Sequence, residues 1–172
     1  LAHAVTLLRR GGIVAYPTES VYGLGCAPGN RDAVMRLLRI KQRTPAKGLI
    51  LIAGDIEQLL PWVQEIPAHV RATWPGAHTW LVQPRAGVPY WITGRHARIA
   101  VRISALASVR ALCHAAGMAL VSSSANRSGQ KPARQVGRHV QQTFQRGWDH
   151  GILRALGAAC AAGKIMGLDR ER

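Results

Sequence analysis

Five short runs dominated by apolar residues, 13–16, 49–53, 79–82, 99–103 and 119–122, recur along the chain, and between them lie segments whose apolar residues return at helical spacing. Runs of four or five residues bounded by glycine and proline have the length of buried strands rather than helices. Their alternation with helical segments predicts one α/β unit. At 172 residues the chain is long enough to bury roughly 70% of its unfolded surface as a single domain, and too short for a second full one.

Local signals sharpen this outline. Residues 2–10 put Val5 and Leu8 on one helical face, and Gly11-Gly12 stops the pattern. Pro17 ends the first strand because it has no N–H to give to a ladder. Asn30 is the expected N-cap of a helix with Val34, Leu37, Leu38 and Lys41 on its inner face, closed by Pro45. Asp55-x-x-Gln58 resembles a capping box that opens a further helix, broken by Pro61. Residues 67–74 read as helical. A helix over 106–116 ends at Gly117, and the strand 119–122 delivers Ser122, Ser123 and Ser124 into a turn. A last helix is expected over 135–144, and 153–163 has no clear assignment. The chain opens at Leu1 inside helical sequence, which reads as a trimmed start.

Charge limits the ligand classes. The formal net charge is +15, and between Glu65 and Asp149 there is no acidic residue while eleven arginines and lysines occur, Arg71, Arg85, Arg95, Arg98, Arg102 and Arg110 among them. A field of one sign attracts polyanions, so RNA or nucleotide phosphates are the candidate partners; solubilising surface charge is the structural alternative. No apolar stretch approaches the ~20 residues of a membrane helix. Cys26, Cys113 and Cys160 are odd in number and far apart, which fits neither a disulfide framework nor a metal cluster, and a reducing cytoplasm is the expected setting.

Phosphate-loop, dinucleotide and zinc-hydrolase motifs are all missing. What remains is hydroxyl, amide and cationic side chains at the ends of apolar runs. Ser122, Ser123, Ser124 and the turn after them could form an anion-binding nest, with Asn126 bracing the loop; a self-stabilised serine turn is the alternative. Lys41, Arg43 and Lys47 crowd one strand entrance and can clamp a triphosphate, or Lys41 and Arg43 can simply favour a helix C-terminus. Arg102 lies mid-strand and needs an anion to be buried. Acids are scarce nearby, so a substrate carboxylate is the favoured partner. Thr18 either contacts a polar substrate or caps its own loop. The histidines lack ligand spacing, and Trp62, Trp74, Trp80 and Trp91 read as core packing.

Tyr16-Pro17-Thr18-Glu19-Ser20-Val21-Tyr22-Gly23-Leu24-Gly25, Lys41-Gln42-Arg43, Lys47-Gly48-Leu49-Ile50-Leu51-Ile52, Trp74-Pro75-Gly76, Ala100-Val101-Arg102 and Ser122-Ser123-Ser124-Ala125-Asn126-Arg127-Ser128-Gly129 together resemble the YrdC/TsaC family of threonylcarbamoyl-AMP synthases. The resemblance implies a single domain over 1–172, a twisted mixed β-sheet with flanking helices around a basic cavity, divergent or truncated from about residue 145. It implies that L-threonine, bicarbonate and ATP, the last as its magnesium chelate, yield threonylcarbamoyl-AMP and pyrophosphate. Lys41 and Arg43 would be catalytic. Lys41, Arg43, Thr79, Ser124 and Asn126 would bind ATP, and Thr18, Lys47, Arg102 and Ser122 the threonine side. No dedicated protein metal site is implied. Partner proteins that modify tRNA would receive the product, and tRNA or double-stranded RNA is a further candidate ligand.

Two departures accompany the match. Ala77-His78 stand where the family has a second proline and an apolar residue before the threonine, and Ala162-Gly163 stand where it has Pro-Ser. The second removes a hydroxyl that would face the nucleotide. A non-catalytic RNA-binding homologue therefore stays open as an alternative, as does a carbamoyl-transfer module of the kind embedded in hydrogenase maturation proteins.

Overall fold

The computed structural model describes residues 1–132. In chain order the elements are α1 (Ala2–Arg9), β1 (Val14–Pro17), β2 (Tyr22–Cys26), α2 (Arg31–Lys41), β3 (Ile50–Ala53), α3 (Ala68–Arg71), β4 (Trp80–Val82), α4 (Tyr90–Thr93), β5 (Ile99–Ile103), α5 (Ala107–Ala116) and β6 (Leu120–Ser124). The six strands of the described residues form one mixed sheet in the order β1-β2-β6-β3-β5-β4. Only β3 and β5 run parallel; the other neighbours are antiparallel.

Register assigns every strand residue to a face, because opposite partners share a face and neighbours along a strand alternate. Ala15, Leu24, Cys26, Val121, Leu51, Ala53, Val101 and Ile103 share one face. It packs against Ala33, Val34, Leu37 and Leu38 of α2 and against Val70 and Ile92 in one continuous core. Val14, Tyr16, Gly23, Gly25, Leu120, Ser122, Ser124, Ile50, Ile52 and Arg102 share the other. Here α1 and α5 bring Val5, Leu8, Val109, Leu112 and Ala116 onto Val14, Tyr16, Ile52 and Leu120 only. The remaining positions of this face, rich in glycine and hydroxyls, are left to line the cavity described below.

Several expectations hold in detail. The Asn30 side chain accepts from the Ala33 amide at 3.0 Å and starts α2, and Gly117 closes α5 in the left-handed region at φ 73°. Lys41 does lie on the inner face of α2. Cys26 and Cys113 are buried free thiols, pushed up to about 12 by desolvation; Cys160 lies outside the described residues, as do the helix expected over 135–144, the stretch 153–163 and Ala162-Gly163.

Other expectations need correction. After the capping contacts, Gln58 N to Asp55 Oδ1 at 3.0 Å and Gly54 N to Gln58 Oε1 at 2.9 Å, residues 55–62 make turns and no helix. Pro61 has no N–H for the carbonyl of Glu57, so the second helical turn cannot close. The helix expected over 67–74 shrinks to Ala68–Arg71, since Trp74 precedes Pro75 and is biased away from helical angles. Pro17 is the last residue of β1 rather than its terminator, tolerated because β1 is a sheet edge. The strand expected over 119–122 runs on to Ser124.

Strand β2 was not legible as a strand, because Gly23 and Gly25 depress the propensity that marks one. The structure requires them. A Cβ on Gly25 would sit 2.6 Å from both Tyr16 Cε1 and the Val121 carbonyl oxygen, and one on Gly23 would lie 3.1 Å from Thr18 Cγ2. The glycines let the Tyr16 ring lie flat across the sheet, with its hydroxyl 3.4 Å from the Val121 carbonyl and its pKa pushed above the ordinary phenol range by burial. Gly25→Ala forces that ring and a central-strand backbone apart. It is expected to destabilise the protein by about 1–3 kcal/mol, the usual cost of overpacking, read as a lowered urea midpoint with unchanged slope.

Candidate active site

A cavity of about 250 Å³ opens over the uncovered part of the second sheet face. Its floor is Gly23, Ile50, Ile52, Arg102 and Ser122–Ser124; Thr18, Ser20 and Val21 of the β1–β2 loop and Arg43 and Leu49 beside β3 complete it. Thr18, Arg43, Arg102, Ser122 and Ser124, foreseen from four separate motifs, thus share one cavity. None of the lining residues is a carboxylate. Two arginines and five hydroxyl-bearing residues of the wall therefore face a small apolar patch, chemistry suited to an anionic ligand that carries a short aliphatic side chain.

Lys41 is near the cavity without lining it. Its side chain is buried in the last turn of α2, 2% exposed, and its ammonium donates to the carbonyl oxygens of Ser124 and Asn126, the latter at 2.7 Å, and at 3.4 Å to Asn126 Oδ1. An ammonium has three protons, and three oxygens take them. Burial and the adjacent Arg43 guanidinium push its pKa down to about 8, and the ring of acceptors is what favours the charged form at neutral pH. Asn126 continues the arrangement: Ser124 Oγ donates to its Oδ1 at 2.5 Å, and its Nδ2 donates to the Gln130 carbonyl at 2.5 Å. The Ser128 amide returns to the Lys41 carbonyl at 2.8 Å. The segment after β6 is thereby tied to the end of α2.

This geometry removes the anion-binding nest expected at the serines. Ser122, Ser123 and Ser124 are ladder residues between β2 and β3, with Ser124 opposite Gly23 and Ser122 opposite Ile50. The turn that follows spends its amides internally, Ala125 N on Tyr22 O at 2.7 Å and Asn126 N on Ser124 O at 2.9 Å. What β6 gives the cavity is the hydroxyls of Ser122 and Ser124, which alternation points to the same face.

Arg43 does line the cavity. Its Nη2 donates to the Gly48 carbonyl at 3.1 Å and the Lys47 carbonyl at 3.4 Å, while its buried Nε has no acceptor among the described residues. Lys47 is exposed and contributes its carbonyl rather than its ammonium to this corner. Thr79 is likewise off the wall and acts through Arg102, accepting from its Nε at 2.8 Å.

The anion required by Arg102 is a protein group, Glu19, 3.1 Å from Nη1. The expectation of a substrate carboxylate as that partner is corrected in this respect. It counted only acids close in sequence, and Glu19 is 83 residues away. Burial would raise the Glu19 pKa, but hydrogen bonds from Ser104 Oγ at 2.6 Å and the Ala105 amide at 3.2 Å, with the Arg102 charge, hold it below the ordinary glutamate value. Thr18 turns inward on its own loop as well, its hydroxyl 2.5 Å from the Val21 carbonyl. The missed residues were Glu19, Ser20, Val21, Gly23, Leu49, Ile50 and Ile52. The available signal was that Glu19 is one of only eight acids and sits inside the first motif.

Among the described residues no group of three or more histidine, cysteine or acidic side chains could hold a metal, and no helix is long and apolar enough to cross a membrane.

Comparison with known proteins gives consistent results. The family model Sua5_yciO_yrdC, described as "Telomere recombination", matches residues 6–160. A protein of Alkalilimnicola ehrlichii called threonylcarbamoyl-AMP synthase is 55% identical over 131 residues, 75% of this chain and 69% of its own. One of Methylococcus capsulatus with the same name is 51% identical over 160 residues, 91% of this chain and 86% of its own. Among solved structures, P. abyssi Sua5 complexed with L-threonine superimposes with a TM-score of 0.71 at 33% identity. That match covers 76% of this chain and 40% of that longer one. E. coli YciO, at a TM-score of 0.71 and 24% identity, covers 86% and 73% and shares the fold.

Two outcomes follow from the geometry. Because the folded pKa of Glu19 lies below its unfolded value, its stabilisation is present above about pH 4.5 and is lost as pH falls through the folded value. Glu19→Gln is therefore expected to flatten the acid-side fall in urea midpoint between about pH 5 and 3. Lys41→Ala is expected to speed amide exchange at Asn126 and Ser128 by about tenfold or more, since the ammonium that holds the Ser124 and Asn126 oxygens is lost and the loop is freed to open.

Proposed function

This chain belongs to the Sua5/YciO/YrdC family, and from that premise we propose that it joins L-threonine, bicarbonate and ATP into L-threonylcarbamoyl-AMP with release of pyrophosphate. The observation that carries the reading is the convergence of Thr18, Arg43, Arg102, Ser122 and Ser124, drawn from distant parts of the chain, on one cavity without carboxylates. Relatives called threonylcarbamoyl-AMP synthase at 50–55% identity support it, and they count against a purely RNA-binding role.

The chemistry needs no protein nucleophile. The threonine amine adds to the carbon of bicarbonate with loss of water, or to carbon dioxide with loss of a proton, to give a carbamate. A carbamate oxygen then attacks the α-phosphorus of ATP, and the bond to the bridging oxygen of pyrophosphate breaks. The protein must hold two anions in line and offset the charge that builds at phosphorus. Arg43 and the Ser124 hydroxyl are suited to the nucleotide phosphates. Lys41 and Asn126 support them by fixing the strand end, and Lys47 adds positive charge outside the wall. Arg102, seconded by Thr79, is suited to the threonine carboxylate, with Thr18 and Ser122 near the amino acid and Val21, Leu49 and Ile50 against its methyl group. The structure of P. abyssi Sua5 with L-threonine supports an amino-acid site in this fold. Magnesium enters as the chelate of ATP, since hydroxyls and guanidinium groups make a poor cage for a resident ion. The product would pass to tRNA-modifying partner proteins, and a cytoplasmic setting accords with that role.

Purified protein given L-threonine, bicarbonate and magnesium ATP is expected to release threonylcarbamoyl-AMP, detected by mass spectrometry, with stoichiometric pyrophosphate. Pyrophosphate release that is independent of threonine, or none from folded protein, would overturn the reading. Arg43→Ala is expected to cut turnover by ~100-fold or more, a typical loss for a removed charge stabiliser, with the fold retained by circular dichroism.

A further inference from the structure

We propose that Glu19 is a positioning residue for amino-acid recognition: its carboxylate locks the Arg102 guanidinium so that the remaining Nη2 edge is presented to the α-carboxylate of the substrate. The inference rests on the reading of this cavity as the threonine site, and adds a residue that does not line the cavity and touches no substrate.

The guanidinium offers five N–H groups in a rigid plane. Nε is taken by Thr79 Oγ1 at 2.8 Å and Nη1 by Glu19 Oε2 at 3.1 Å, which leaves Nη2 without an acceptor among the described residues. Arg102 lines the cavity. A plane held along two edges can turn only by breaking one of them, so its third edge has a fixed direction.

Glu19 is itself held. Its Oε1 accepts from Ser104 Oγ at 2.6 Å and from the Ala105 amide at 3.2 Å. Ser104 is fully buried; its amide bonds the Ala53 carbonyl at 3.2 Å and its hydroxyl accepts from the Leu106 amide at 3.2 Å. The carboxylate is therefore anchored to the ends of β3 and β5 and the start of α5, all rigid elements.

Charge divides the cavity in the same way. Among the described residues Arg43 bonds only backbone carbonyls and has no carboxylate partner, while Arg102 is neutralised by Glu19. A polyanionic triphosphate is drawn to the uncompensated end. A monoanionic carboxylate is the better match for a guanidinium edge whose charge is already offset. Removing the Glu19 charge should weaken threonine binding by freeing the guanidinium to turn, and the positive charge it uncovers should open the threonine end to phosphates.

The test compares wild type, Glu19→Gln, Glu19→Asp, Arg102→Gln and the Glu19→Gln/Arg102→Gln double variant by steady-state kinetics. Inorganic pyrophosphate is added as the probe anion. Threonine-dependent turnover by the wild type is the first measurement, and its absence overturns the functional reading itself. Given that turnover, Glu19→Gln is expected to raise KM for threonine about tenfold or more while KM for ATP stays within about twofold. Pyrophosphate should become competitive against threonine, and Glu19→Asp should recover part of the loss. The Gln substitution should add nothing in the Arg102→Gln background, since residues acting through one contact are not additive. Equal rises in both KM values, no rise, or an additive double variant would overturn the inference. Should Glu19→Gln fail to fold, Ser104→Ala keeps the charge and loosens its anchor. It is expected to raise KM for threonine alone by about threefold, and an unchanged value there would equally overturn the proposal.

Discussion

A sheet has two faces to cover, and among the described residues the helices cover them unequally. The face bearing Leu24, Leu51, Val101 and Val121 meets α2 and the short helices α3 and α4 in one continuous core. The opposite face meets α1 and α5 only around Val14, Tyr16, Ile52 and Leu120. The uncovered remainder cannot be apolar without exposing a hydrophobic patch. It is built instead of Gly23, Ser122, Ser124 and Arg102, and that substitution of polar groups for core is what makes the cavity. Tyr16 marks the border, its ring lying in the space that Gly25 leaves above the sheet.

The cations of the site divide into two kinds. Lys41 and Arg102 are fixed by protein acceptors, one by the carbonyls after β6 and the other by Glu19 and Thr79. Arg43 reaches backbone carbonyls and keeps a buried N–H without an acceptor among the described residues. Buried charge is costly unless paired; Arg102 has the Glu19 carboxylate, whereas Lys41 and Arg43 meet only neutral oxygens among the described residues and leave a local positive potential. A net charge of +15 says little about such a site, since the decisive feature is which cation lacks a counter-charge. The tie between α2 and the segment after β6 also joins residues 83 and 85 positions apart, so displacement of either end is transmitted to Ser124.

The elements that were legible had local causes. Asn30 caps α2 through its own third neighbour, Gly117 closes α5, and the runs at 13–16, 49–53 and 99–103 are strands because their apolar residues have no other way to be buried at that length. The cavity residues Thr18, Arg43, Arg102, Ser122 and Ser124 were legible as polar groups at the ends of such runs. Strand β2 was hidden because its glycines serve a close approach made by Tyr16, a residue of another strand. The helix expected after Asp55 failed because Pro61, already named as its end, arrives before a second turn can close, so the capping contacts are left holding a turn.

The sequence by itself determined the alternation of strands and helices, the excess of positive charge, and the residue types available for chemistry, because each of these depends on spacing and composition within a few positions. Tertiary structure alone decided that Arg102 meets Glu19 rather than standing open, that Lys41 spends its protons on carbonyls, and that the serines are ladder residues rather than a nest. Those outcomes depend on which strands become neighbours and in what register. Register is set by burial summed over the whole sheet, and no single segment of the chain carries that information.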